Sequence, residues 1–100
     1  MIAALYEPGV PALRVSGHAQ YAPKGADIVC AAASVLVYAL LEAAGGAEEL
    51  EPPGQTADGV APLFALRGGE GDREAFRVVA GGFRLLARQF PENGKFEVRE

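Results

Sequence analysis

The residues of this chain that could do chemistry are its single histidine, His18, and its single cysteine, Cys30. Cysteine attacks as the thiolate, so a nearby imidazole that removes the thiol proton is the minimal equipment of a cysteine nucleophile. Pro23 and Gly25 lie in the segment between the two residues, and a long apolar run begins directly after it. If folding brings the two side chains together, this region can cleave a peptide bond by nucleophilic attack.

The position of Cys30 relative to the apolar run favours this chemistry. Asp27 is a good N-cap, which places Cys30 in the first turn of a helix, where the helix dipole favours a thiolate and backbone N–H groups suit an oxyanion. Asp27 has a second possible role, which is to orient His18. Ser34 lies one helical turn after Cys30, where it either forms a hydrogen bond near the site or donates back to the carbonyl of residue 30.

A structural interpretation of the same residues stands beside the catalytic one. A buried cysteine often acts as a small hydrophobic side chain, and a lone histidine at the end of a strand is usually a surface residue. The segment between them favours the catalytic interpretation, because Gly17 and Gly25 bracket it and can act as hinges of a loop that closes on a substrate.

The first half of the sequence predicts a β-hairpin followed by a long helix. Alternating residues predict strands over 1–6 and 12–17, with a turn at Pro8 and Gly9. The helix is expected to run from about 27 to 44, where Gly45 and Gly46 end it. Because this helix is apolar nearly all round, it is predicted to be buried on most sides, against the sheet and against a second helix or a partner subunit.

The second half predicts two more strands, a helix and a final edge strand. Residues 47–51 form a weak strand candidate and 60–67 a better one, with Pro62 at an edge or after a bulge. Asp72 is predicted to cap a helix running to about residue 90. Gly81 and Gly82 within it either allow close approach of another helix or mark a bend. Apolar residues spaced by three and four predict its buried stripe: Phe76, Val79, Phe83, Leu86 and Phe90.

Together these elements predict an α+β fold. It is a two-layer α/β sandwich with a mostly antiparallel sheet and two main helices on one face, in the order ββαββα(β), and residues 1–100 form a single domain.

Composition restricts the partners. The net charge is −4 and the nine basic residues are scattered, which argues against direct binding of nucleic acid. The longest apolar stretch, 28–41, is shorter than the roughly 20 residues that span a bilayer, so no membrane partner is expected. One cysteine and one histidine are too few for a self-contained zinc site, and we expect neither a metal nor a cofactor. A reduced, cytoplasmic protein is the default expectation.

A resemblance to a known family adds to these inferences. The segments around the histidine and the cysteine closely resemble the motif of the ribosomal-processing cysteine proteases, the Prp family. The order of elements along the rest of the chain is also similar, except in 45–59, which is rich in Gly, Pro and Ala and predicts a strand poorly. The matching residues are Gly17-His18-Ala19, Gly25, Asp27-Ile28-Val29-Cys30-Ala31-Ala32 and Ser34.

The resemblance implies a specific activity. Members of the family are cysteine endopeptidases that remove an N-terminal extension from the precursor of the bacterial large-subunit ribosomal protein L twenty-seven, cutting after an aromatic pair. The family's nucleophile corresponds to Cys30, its base to His18, its acidic motif residue to Asp27 and its helix serine to Ser34. The resemblance also implies a homodimer and a glycine-bracketed loop that moves on substrate binding.

Two other functions remain open at this point. A ribosome-associated binding module could dock the same ribosomal protein without cutting it. A thiol redox sensor would use Cys30 as an exposed cysteine of low pKa, although the chain offers no second cysteine to resolve the oxidised form.

Overall fold

A computed structural model of the chain describes residues 2–17, 28–44, 48–49 and 62–100. The elements in chain order are β1 (Ile2–Glu7), β2 (Ala12–Gly17), α1 (Ile28–Ala43), β3 (Glu48–Glu49), β4 (Pro62–Arg67), a 3₁₀ turn (Glu70–Asp72), α2 (Arg73–Gln89) and β5 (Gly94–Val98). This order confirms the predicted α+β class, including the final strand. Within these residues, neither helix is long and apolar enough to cross a bilayer.

The strands form one mixed sheet in the order β3-β4-β2-β1-β5. The predicted hairpin is confirmed, because β1 and β2 pair antiparallel with Ile2 opposite Gly17. The pairs β2–β4 and β3–β4 are also antiparallel, whereas β5 pairs in parallel with β1. The register between β2 and β4 shifts where Ser16 meets Pro62, the first residue of β4. The proline therefore lies at a strand end beside an irregularity, as predicted.

The apolar stripe of α2 packs on the sheet as its periodicity predicts. Phe76, Val79 and Phe83 are buried, and Leu86 and Phe90 are half-buried against the same core. The core also contains strand residues from the helix-facing side of the sheet, namely Ile2, Ala4, Leu13, Val15 and Leu66. A spacing of three and four residues thus identified the packing face of this helix.

The predicted burial of α1 on most sides is wrong for the single chain. Its buried residues are Val29, Ala33 and Leu40, whereas Val35 and Tyr38 are 66% and 67% exposed. The reason is the two-layer architecture: α1 has the sheet below it and α2 beside it, and no described element lies on its outer side. Its uniform apolarity therefore leaves an exposed apolar face.

The two helices approach each other closely at Gly82. A Cβ atom built on Gly82 would lie 2.6 Å from Cδ2 of Leu36 in α1, whereas a Cβ on Gly81 would meet no atom within 4 Å. Of the two roles predicted for this glycine pair, close helix approach is confirmed at Gly82.

The start of α2 differs from the prediction. Asp72 does occupy the N-cap position, but its side chain caps no N–H of α2. Its carboxylate instead accepts a hydrogen bond of 2.9 Å from the backbone N–H of Gly69, because a 3₁₀ turn precedes the helix and the side chain folds back over it.

Arg73 ties the β1–β2 turn to the start of α2. Its guanidinium donates to the carbonyl oxygen of Pro8 at 2.7 Å and forms an ion pair of 2.7 Å with Glu70. The hydrogen bond and charge of Arg73 hold the pKa of Glu70 below its ordinary value of 4.5. The pair therefore stabilises the folded state when the pH is above the ordinary pKa of Glu70. This stabilisation is lost as the pH falls through the lowered pKa.

The glycine pair of α2 provides a matched test of the helix contact. Gly81→Ala should raise the free energy of unfolding by roughly 1 kcal/mol, because alanine favours helix and the added methyl group meets open space. Gly82→Ala gains the same helix propensity but must displace the methyl groups of Leu36, so it should be less stable than Gly81→Ala, by up to about 1 kcal/mol. Urea unfolding measures both. Equal stabilities would contradict the close approach at Gly82.

Candidate active site

The first turn of α1 and the last residue of β2 lie at the same end of the molecule. Gly17, which ends β2, is the pairing partner of Ile2. Ile2 and Val29 of α1 line a common apolar void of about 10 Å³, together with Gly94 at the start of β5. The chain therefore leaves the sheet, immediately before His18, at the end where the helix of Cys30 begins.

Cys30 lies in the first turn of α1, two residues after the helix begins at Ile28. Its side chain is half-buried and packs against the core cluster. The first turn contains no acidic side chain, so no carboxylate within it repels a thiolate that the positive end of the helix dipole favours. Cys30 is thus packed against the core while part of the residue stays exposed, an intermediate burial that suits a nucleophile.

Ser34 forms the local hydrogen bond that was one of its two predicted alternatives. Its hydroxyl donates to the carbonyl oxygen of Cys30 over 2.9 Å. This bond places Ser34 in contact with the backbone of the cysteine, one turn further along the helix. The hydrogen bond from Ser34 therefore satisfies a carbonyl group of the first helical turn.

Gly17 adopts a backbone conformation that explains why a glycine occupies this position. Its φ is 90°, in the region that residues with a Cβ rarely enter. The strand thus ends, directly before His18, at a residue whose backbone conformation only glycine adopts without strain. The predicted function of Gly17 as a loop hinge stays a prediction.

The other predicted site residues lie outside the described residues. They are His18, Gly25 and Asp27, and their roles as base, hinge, and cap or orienting group stay predictions. Among the residues that are described, no group of three or more His, Cys, Asp or Glu side chains could hold a metal ion.

Lys95 of β5 also lies at this end of the molecule. Sequence reasoning missed this residue. Lys95 lines the same void as Val29, and its ammonium group forms an ion pair of 2.8 Å with Glu97. This pair raises the pKa of Lys95. The sequence carries no signal for its position, because that depends on the parallel pairing of β5 with β1, which no local pattern predicts.

Solved structures with the same fold include two of a ribosomal processing protease. The S. aureus protease Prp with a covalently linked product peptide matches with a TM-score of 0.77 and 19% identity, covering 99% of this chain and 100% of that one. The same protease with a substrate peptide matches with a TM-score of 0.69, 18% identity and the same coverage. SMU.848 of Streptococcus mutans matches with a TM-score of 0.60 and 21% identity, covering 98% and 96%. At these identities the likeness shows the fold.

The family itself follows from the sequence match. No curated protein matches this chain. The family model of the cysteine protease Prp matches residues 3–93, which include most of β1, all of β2, both helices and the segment from His18 to Cys30. This chain therefore belongs to the Prp family of cysteine proteases.

Proposed function

We propose that this chain is an endopeptidase that processes a ribosomal protein, with Cys30 as the nucleophile and His18 as its base. The observation that carries the proposal is the meeting of two elements: β2 ends at Gly17 at the same end of the sheet where α1 presents Cys30 in its first turn. The residue after Gly17 is His18.

The proposed reaction uses these two residues in sequence. His18 removes the thiol proton, and Sγ of Cys30 attacks the scissile carbonyl carbon to form a tetrahedral oxyanion near the first turn of α1. The C–N bond then breaks, the leaving amine takes the proton from His18, and a thioester remains on Cys30. Water, deprotonated by His18, attacks the thioester and releases the new carboxylate and the thiol. Asp27 either orients His18 or caps the helix.

We propose the precursor of ribosomal protein L twenty-seven as the substrate, cut after an aromatic pair at the end of its N-terminal extension. The family membership supports this choice, and so does charge: ribosomal proteins are rich in lysine and arginine, and this chain carries a net charge of −4. The S. aureus Prp structures hold a substrate peptide and a covalently linked product peptide, which supports a peptide substrate here. Ribosomal proteins are made in the cytoplasm, where we expect this enzyme.

Peptide cleavage tests the nucleophile and the base. With a peptide that spans the predicted cleavage site of the precursor, Cys30→Ala and His18→Ala should each lower kcat/KM at least about a thousandfold, because each removes one half of the nucleophilic pair. Leu85→Ala, at an exposed position of α2 outside the proposed site and dimer face, is the control and should cleave as the wild type does. Mass spectrometry of the products measures the rates.

Three outcomes would contradict the proposal. Equal cleavage by the wild type and Cys30→Ala would remove Cys30 as nucleophile. Binding of the peptide by the wild type without cleavage would favour the binding module. Peroxide sensitivity of Cys30, with no peptide cleavage under any condition, would favour the redox sensor.

The hinge at Gly17 has a matched control in Gly9. Gly17→Ala should lower the free energy of unfolding by about 1–2 kcal/mol and lower the cleavage rate, because a side chain at φ 90° is strained and the relief of strain redirects the chain before His18. Gly9→Ala meets no atom within 4 Å and should change neither quantity. Urea unfolding and peptide cleavage measure the two effects. Unchanged cleavage in Gly17→Ala would count against the hinge.

We also propose that the chain forms a homodimer through the outer face of α1. Ile28, Val35, Tyr38 and Leu41 are all exposed on this helix, at 56%, 66%, 67% and 41%. A contiguous apolar face of this kind marks an interaction site, and family membership supports a second copy as its occupant.

Sedimentation tests the dimer with a pair of matched substitutions. Val35→Glu should convert the dimer to a monomer, because it places a charge in the middle of the apolar face. Val78→Glu makes the same change at a valine of nearly equal exposure on α2, 67%, and should remain dimeric. Sedimentation velocity gives the molar mass. A dimeric Val35→Glu, or a wild type that is monomeric at high micromolar concentration, would contradict the proposed interface.

A further inference from the structure

An open groove of about 430 Å³ runs between α2 and the edge strand β5. None of the residues proposed for catalysis lines it. Its floor comes from the sheet, its wall from the middle of α2, and its rim carries two arginines. The lining residues are Tyr6, Phe96 and Val98 of the sheet, and Arg77, Val78, Ala80, Gly81 and Arg84 of α2.

The floor of the groove is apolar because α2 covers the outer strand incompletely. In the parallel pairing, Phe96 lies opposite Ala4 and Val98 opposite Tyr6. Ala4 is buried in the core, so this row of side chains faces the helix layer. Phe96 is nevertheless only half-buried, and Val98 is 50% exposed. An apolar side chain placed on this floor would remove apolar surface from water.

The backbone of β5 offers hydrogen-bonding groups beside this floor. The carbonyl of Asn93 accepts a bond from Ile2, and the N–H of Arg99 donates to Tyr6, each over 2.9 Å. Because backbone groups alternate in direction along a strand, Phe96 and Val98 direct theirs to the other side. That side is the outer edge of the sheet, and no described strand pairs with it. An extended chain can bind there as an added strand.

The rim of the groove is positively charged. Arg77 forms an ion pair of 2.8 Å with Glu74. Arg84 is exposed and has no ion pair in the described part of the chain. A carboxylate on the occupant would therefore be complementary to Arg84. The apolar floor and the net charge of −4 favour a polypeptide over a nucleic acid as that occupant.

We propose that this groove binds an extended polypeptide segment as an added strand on β5. The segment places an apolar side chain on Phe96 and Val98, and a carboxylate two residues away, on the same face of the added strand, beside Arg84. The proposal stands independently of the catalytic one, since it uses neither Cys30 nor His18.

A labelled peptide tests the groove. The probe is fluorescein-labelled Thr-Val-Phe-Thr-Glu-Val, in which Phe and Glu share one face of a strand. With the intact protein, fluorescence anisotropy should show saturable binding, and the amide NMR signals of β5 should shift. The same peptide with Lys in place of Glu should bind about three- to tenfold more weakly, because its charge is opposed by Arg84.

Two matched pairs of variants locate the binding. Gly81→Leu should weaken binding about tenfold or more, because its side chain occupies the groove, whereas Gly81→Ala should retain most of it; the space around Gly81 lets both fold. Arg84→Glu should weaken binding about three- to tenfold. Arg88→Glu, which changes an exposed residue of the same helix outside the groove, should not.

The outcomes decide the proposal. Weakening by Gly81→Leu and Arg84→Glu but not by their controls supports it. Absence of binding at millimolar peptide, binding unchanged in both Gly81→Leu and Arg84→Glu, or NMR shifts confined to residues outside β5 and α2 would overturn it. A circular dichroism spectrum for each variant shows whether it is folded.

Discussion

The packing of Val29 against the end of the sheet fixes the position of the proposed nucleophile. Val29 is 1% exposed and shares its surroundings with Ile2 and Phe83. Burying a valine side chain stabilises the fold by about 1.5–3 kcal/mol, which holds the helix in one rotation about its axis. Since consecutive helical residues point about 100° apart, this rotation places Cys30 at the border between core and surface. A helix turned further would either seal the sulfur in the core or leave it without support.

How much the sequence could predict depends on whether a signal is local. The hairpin and the stripe of α2 follow from alternation and from a spacing of three and four, and both were predicted correctly. In α1 the residues are apolar all round, so periodicity could not tell Val29, which is buried, from Val35, which is exposed. Only the arrangement of the layers decides that.

The same distinction applies to the candidate site. The place of Cys30 in a first helical turn was predictable from local signals, and so were the two alternatives for Ser34. The choice between those alternatives needed the geometry of the helix. The proximity of Gly17 to the start of α1 depends on strand pairing across the sheet, as does the place of Lys95. The capping role of Asp72 failed as a prediction because a preceding 3₁₀ turn offered its carboxylate a nearer donor.

The two-layer design also explains why two apolar surfaces remain. A chain of 100 residues, 50% of them hydrophobic, has too little interior to bury them all when both helices lie on one face of the sheet. The helix layer leaves two apolar surfaces uncovered, the outer face of α1 and the groove beside β5, and α2 lies between them. A second subunit on α1 and a polypeptide on β5 would therefore not compete for the same surface.

The central claim is that Cys30 forms a covalent bond to the substrate with the help of His18. The most direct measurement is rapid chemical quenching during cleavage of the precursor peptide, followed by mass spectrometry of the intact protein and of its Cys30 fragment. We expect the N-terminal part of the substrate to appear as a thioester on Cys30 in the wild type, and to be absent in His18→Ala. Cleavage at full rate with no acylated Cys30, or acylation at another residue, would contradict the mechanism.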